Sequence, residues 1–175
     1  MTGQQLQLVE PDESLREAFI DYLEELEAAG EPGAGRELGR AKKDFDAFVQ
    51  RRRDRAAGRK LPRGFVPSTA FWLMQGDRVI GRSRLRHYLN ARLTQRGGHV
   101  GYEVRPSERG RGIATRLLAL TLEKAREVGL QRVLVTCDRD NPASTRVIEK
   151  NGGVFANQVV APDNGRPTRR YWIDL

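Results

Sequence analysis

The chain has 175 residues, with 31 Lys and Arg against 23 Asp and Glu, a formal net charge of +8, 38% apolar and 31% charged residues. That length supports one hydrophobic core, and the composition excludes collagen, coiled-coil and disulfide-scaffold architectures. The longest apolar runs fall far short of the ~20 residues that a membrane-spanning helix requires. The N-terminal stretch lacks the basic and apolar regions of a secretory signal, and the single Cys137 cannot form an internal bridge, so a reducing cytoplasm is the expected compartment.

Between Glu13 and Ala29, Leu15, Ala18, Phe19, Tyr22, Leu23 and Leu26 recur at helical spacing up to Gly30, which predicts an amphipathic helix. Residues 30–35, GEPGAG, read as a loop, and Leu38, Ala41, Phe45, Phe48 and Val49 predict a second helix running into the basic run 51–60. Pro62, Gly64 and Pro67 then break the pattern. From Ser68 the period changes to that of strands. TAFWLM and RVIGRSRLRHYL make a hairpin around residues 75–77, and GHVGYEVRP adds a third strand.

A βαβ unit follows. The glycine-rich turn 107–112 opens a helix whose apolar face is Ile113, Leu117, Leu118, Thr121, Leu122, Ala125 and Val128, ended by Gly129. The strand 132–137 is apolar on both faces, as a covered central strand is. Asn141 at a cap and Pro142 at the first helical position start another helix, with Gly152 at its exit. A last hairpin, VFANQVV and TRRYWIDL, turns around residues 163–165.

Charge is unevenly spread: residues 1–30 carry eight acids against one Arg, whereas residues 82–111 carry eight Arg against two acids, Glu103 and Glu108. Such a local field asks for an anion. The run 51–60, interrupted by Asp54 and by Ala-Ala-Gly, reads as a solvated helix face rather than a nucleic-acid-binding tail. The turn Arg109-Gly110-Arg111-Gly112-Ile113-Ala114 gathers free backbone amides at the positive end of a helix dipole, where two glycines let the main chain approach a phosphate. It matches neither the dinucleotide-binding fingerprint nor the phosphate-binding loop of nucleoside triphosphatases.

The run VRPSERGRGIATRLL resembles the signature of the GNAT superfamily of acyl-coenzyme A-dependent acyltransferases: Arg or Gln, two residues, Gly, one residue, Gly or Ala, filled here by Arg109, Gly112 and Ala114. The resemblance covers residues 69 to the end, through Asn141-Pro142-Ala143-Ser144. FWL, GRSRLRH, CDRDNPAS and RYWIDL narrow it to a bacterial subgroup of GNAT acetyltransferases with unassigned substrates. It implies one α+β domain, mixed α/β, with a central, mostly antiparallel splayed mixed sheet flanked by helices. Residues 1–67 would form a helical specificity region and 68–175 the cofactor-binding core. The implied co-substrate is acetyl-coenzyme A, its pantetheine arm against Val104. Its pyrophosphate would lie on Arg109, Gly110, Arg111, Gly112, Ile113, Ala114 and Thr115, and its far side on Asn141 and Ser144. Asn141 is equally a plain helix cap.

The implied reaction moves an acetyl group to an amine of a small molecule or peptide by direct attack, in a monomer or homodimer, without a metal. Glu103 is the first candidate for the base, next to Val104, with an ion-pair role as its alternative; His87 is second and His99 weaker. Members of the superfamily often place a Tyr seven residues after the Asn to protonate the departing thiolate; here Ile148 stands there, leaving Tyr102, Tyr88 or Cys137 as donors. Cys137 is not expected to be a nucleophile. Phe71 and Trp72 could line the acceptor pocket or serve as core, and the acidic helix 12–27 could attract a cationic acceptor or be a solvated face. A non-catalytic coenzyme A-binding module is the second reading, and nucleic-acid binding the third.

Overall fold

The computed structural model describes residues 5–161 and 164–175. Its first element is a strand that the polar alternation of QLQLV did not announce, β1 (Leu6–Val9). After a short 3-10 turn comes α1 (Arg16–Ala28), as the helical spacing predicts. The single second helix expected over 38–49 is instead two, α2 (Ala34–Lys43) and α3 (Phe45–Ala56). Asp44 separates them: its backbone is extended, and its side chain accepts from the Ala47 N–H at 2.9 Å, an N-cap that starts a new axis.

Strands β2 (Ser68–Gln75) and β3 (Arg78–Arg86) form the expected hairpin. A short helix, α4 (Ala91–Gln95), capped by Asn90, precedes β4 (Val100–Val104). The chain continues through α5 (Ile113–Glu127), β5 (Arg132–Asp138), α6 (Pro142–Lys150), β6 (Val154–Val160) and β7 (Pro167–Asp174). Of the last expected turn, Asp163 lies outside the described residues.

The strands form two antiparallel sheets, in the orders β1-β2-β3-β4 and β5-β7-β6. The division between β4 and β5 is the splay. There the sheets are pinned just before β4: the His99 N–H donates to the Leu134 carbonyl at 2.7 Å, and the Leu134 N–H donates back to Nδ1 of His99 at 2.9 Å. The Gly97 N–H donates to Oγ1 of Thr136 at 2.9 Å. Gly98 sits at φ 58°, and a Cβ there would run into the Leu134 carbonyl, so only glycine brings the chain this close.

The first sheet has helices on both faces because β2 alternates. Trp72 and Met74 point into a cluster with Phe19, Tyr22, Leu23 and Leu26 of α1 and with Phe45 and Phe48 of α3. Phe71 and Leu73 point the other way, into clusters shared with Leu118 and Leu117 of α5. Trp72 stacks on Phe19 with ring centroids 3.9 Å apart, and full burial of each such side chain stabilises by about 1.5–3 kcal/mol. The buried Oγ atoms of Ser83 and Thr121 lie 2.7 Å apart and tie β3 to α5. Among the described residues no helix is long and apolar enough to cross a membrane.

Candidate functional site

Beyond the pin, β4 and β5 border a cleft of about 830 Å³, closed by the turn before α5 and by α6. Gly110 and Gly112 both take positive φ, 76° and 78°, and Gly112 is the N-cap of α5 with no side chain to occupy its amides. The first main-chain bond of that helix runs from the Arg116 N–H to the Gly112 carbonyl at 3.2 Å. The amides of Ile113, Ala114 and Thr115 therefore precede the ladder and stand free at the positive end of the dipole. Val104, Arg109, Gly110, Gly112, Ile113, Ala114, Thr115, Asn141 and Ser144 all line the cleft.

Arg111 does not line it: its guanidinium turns to Glu108 at 2.5 Å and is mostly exposed. Arg109 lines it as a brace rather than a free cation, donating from Nε to the Val104 carbonyl at 3.1 Å and pairing with Glu31 at 2.7 Å. Two cations on α6, Arg146 and Lys150, reach the cleft and were not among the expected residues. Their spacing of four on the helix opened by Asn141 was the available signal. The Asn141 side chain accepts from the Ser144 N–H at 3.0 Å, so its cap role is realised.

A second cavity, about 220 Å³, lies on the other side of β4 and takes Phe19, Glu37 and Arg52 from the three N-terminal helices and Arg82, Arg84 and Arg86 from β3. Gly101, Tyr102 and Glu103 border both cavities. Phe71 and Trp72 border the second one, but both are buried and belong to the core clusters.

Glu103 is an ion-pair partner: its Oε2 accepts from Nε of Arg82 at 2.8 Å and pairs with Nη2 at 2.7 Å. The Tyr22 hydroxyl donates to the same oxygen at 3.4 Å, which leaves Oε1 without a hydrogen bond among the described residues. The Tyr102 hydroxyl lies 2.7 Å from Oγ of Ser144, and burial pushes its pKa up to about 12, so it keeps its proton through the neutral range. Burial also raises the Cys137 thiol, whose Sγ lies 3.6 Å from the Thr145 hydroxyl.

The two histidines are elsewhere. His87 borders neither cavity; its Nε2 lies 2.8 Å from the Thr69 hydroxyl, and burial lowers its pKa. His99 is the pin, held neutral by burial and by the charge of Arg86, with a pKa pushed down to about 4.

Half of the eight arginines in residues 82–111 (Arg82, Arg96, Arg105 and Arg109) pair with acids distant in sequence. The buried Arg105, just past β4, pairs with Asp21 and Glu25 of α1 at 2.5 Å each. Burial acts against Glu25, but hydrogen bonds from Arg105 and Ser107 hold it at about 2. In the 51–60 run, Arg52 pairs with Glu37, Arg53 with Glu13, and Arg59 and Lys60 with Asp54, a network rather than a plain solvated face.

An acetyltransferase (GNAT) domain model matches residues 8–154, reaching back through the N-terminal helices, where the resemblance in sequence had faded. No curated protein sequence matches the chain. Among solved structures, it resembles RimL, a ribosomal L7/L12 alpha-N-protein acetyltransferase in complex with coenzyme A, at 19% identity and a TM-score of 0.71 over 100% of this chain and 97% of that one. It resembles RimJ of Mycobacterium smegmatis, in complex with a coenzyme A disulfide, at 18% identity and 0.72 over 97% and 81%. A chimera of the spermidine N-acetyltransferase SpeG from Vibrio cholerae with hSSAT is 16% identical, with a TM-score of 0.63 over 97% and 95%. At these identities the likeness is one of fold. With the family model spanning most of its length, on a splayed sheet with a free-amide turn, the chain belongs to the GNAT family of acetyltransferases.

Proposed function

We propose that the protein transfers an acetyl group from acetyl-coenzyme A to the amine of a small molecule or peptide, by direct attack, in the reducing cytoplasm. The observation that carries this reading is the pair of cavities meeting at Gly101, Tyr102 and Glu103, which gives a donor and an acceptor separate entries to one point. The free amides of residues 113–115 and the cations of Arg146 and Lys150 fit a diphosphate, and β4 at Val104 fits an extended arm. Arg109 would position the turn, and Arg111 would contribute through its main chain alone. Acetyl-coenzyme A, when bound, supplies the activated acetyl thioester. The three N-terminal helices each give a residue to the second cavity, which supports their role in acceptor choice.

An alkylammonium with a pKa near ~10.4 must lose a proton before it can attack. Oε1 of Glu103 is the acceptor for that proton, with Arg82 holding the carboxylate in place. Tyr102, neutral and hydrogen-bonded to Ser144, is the donor to the departing sulfur, the role left open by Ile148. Glu103→Gln and Tyr102→Phe are each expected to lower kcat about a hundredfold. Acetyl-coenzyme A binding should be unchanged, with turnover read as free thiol release from an amine panel and binding by calorimetry. Wild-type protein that binds the cofactor yet acetylates no amine would overturn transfer in favour of a coenzyme A-binding module.

A further inference from the structure

Charge in the second cavity does not balance. Four guanidinium groups, of Arg52, Arg82, Arg84 and Arg86, face two carboxylates, Glu37 and Glu103. Both carboxylates are already committed. Glu37 gives one oxygen to Arg52 and the other to Arg82, each at 2.6 Å, and Glu103 takes Arg82. Arg52 is further fixed over the Phe48 ring, 3.4 Å from its centroid, and Arg86 donates to the carbonyls of Gly97 and Gly98, each at 3.0 Å. Arg84 has no hydrogen bond and no ion pair among the described residues, and is open to solvent at the cavity wall. Neighbouring cations add to the excess: Arg55 acts on Arg84, and Arg92 on Arg86. Arg82 lies on the same wall, so an anion placed at Arg84 would relieve the crowding of like charges.

We infer that the acceptor is an amine carrying its own anionic group, a carboxylate or a phosphate, and that Arg84 is the residue that binds this group. The inference deepens the acetyltransfer reading and rests on it for the identity of the second cavity. A guanidinium takes either anion through paired charge-assisted hydrogen bonds. Anchored on β3 at Arg84, the molecule can present its amine to Glu103 on β4, the adjacent strand, where Arg84 is paired with Gly101 and Arg82 with Glu103. A polyamine, by contrast, would meet unneutralised guanidiniums along this wall.

The test compares γ-aminobutyrate, aminopropyl phosphate and putrescine, amines of similar length that end in a carboxylate, a phosphate or a second ammonium. With saturating acetyl-coenzyme A and free thiol as readout, kcat/KM for an anionic amine should exceed that for putrescine by roughly tenfold or more. The better of the two identifies the anion. Arg84→Ala should raise KM for the anionic amines roughly tenfold or more and, by removing a repelling charge, lower it for putrescine. Arg84→Glu should reverse the order. Putrescine as the best wild-type substrate, or an equal loss for all three amines in Arg84→Ala, overturns the inference. If no amine turns over, calorimetry on protein loaded with coenzyme A still decides. Heat from an anionic amine that Arg84→Ala abolishes sustains the anion site while acetyl transfer fails, and no heat from either anionic amine sinks it.

Discussion

The two cavities that meet at the middle of β4 are built in opposite ways. The larger cleft takes its free amides from one continuous stretch of main chain, residues 110–115, and is bordered by α6 with Arg146 and Lys150. The smaller one is assembled from side chains tens of residues apart, and its key bridge, Glu37 to Arg82, spans 45 positions. A main-chain site depends on local backbone conformation and tolerates side-chain change around it. A side-chain site depends on the packing of every element that contributes, and so couples specificity to stability.

Removing Glu37 should show that coupling most strongly. Burial pushes its pKa up, but the charges of Arg82 and Arg52 outweigh this and hold it below the carboxylate range. Glu37→Ala would leave two largely buried guanidiniums without their shared counter-charge, costing about 2–4 kcal/mol. Urea denaturation should report that loss together with a raised acceptor KM, and acetyl-coenzyme A affinity should hardly move. Gly112→Val should do the converse. A β-branched residue in the left-handed region costs about 1–3 kcal/mol and turns the free amides away. Acetyl-coenzyme A should bind roughly tenfold more weakly by calorimetry, with acceptor preference retained. If both variants damage both affinities alike, the contrast between the cavities does not hold.

The pin at His99 belongs to neither cavity and should give the smallest effect. His99→Ala strands the Leu134 N–H and should cost about 1–3 kcal/mol, and His99→Asn, whose Oδ1 can accept in place of Nδ1, should recover part of it. The His99 pKa is depressed to about 4 from 6.5. Its contribution is thus fully present above the unfolded value and declines as pH falls from about 6.5 to about 4, because the unfolded chain takes up the proton first. Thermal melts of wild type and His99→Ala should converge across that window.

How much of this was legible in the sequence follows the same divide. The turn, α5, the doubly apolar β5 and the Asn141 cap were readable because local spacing dictates them. The free-amide turn at 110–115 was readable for the same reason. Two local features went unread although a signal existed: Asp44 followed by Ala47 at N-cap spacing, which splits the second helix, and Asn90 before α4. Strand β1 carries too few apolar residues to stand out, and only its pairing with β2 creates it. The smaller cavity was out of reach because sequence alone presents residues 82–111 as a free basic field. In the folded chain Arg82, Arg105 and Arg109 each meet an acid from α1, α2 or the loop between them, and no window of sequence shows which arginines, Arg84 among them, are left without one.

The hydrogen bonds between residues 97–99 and β5 give the molecule a fulcrum. Two strands fastened at one end and separated at the other form a lever, so a small shift at the fastening should become a larger one at Val104. Substitutions at this fulcrum should therefore alter the width of the larger cleft from outside it.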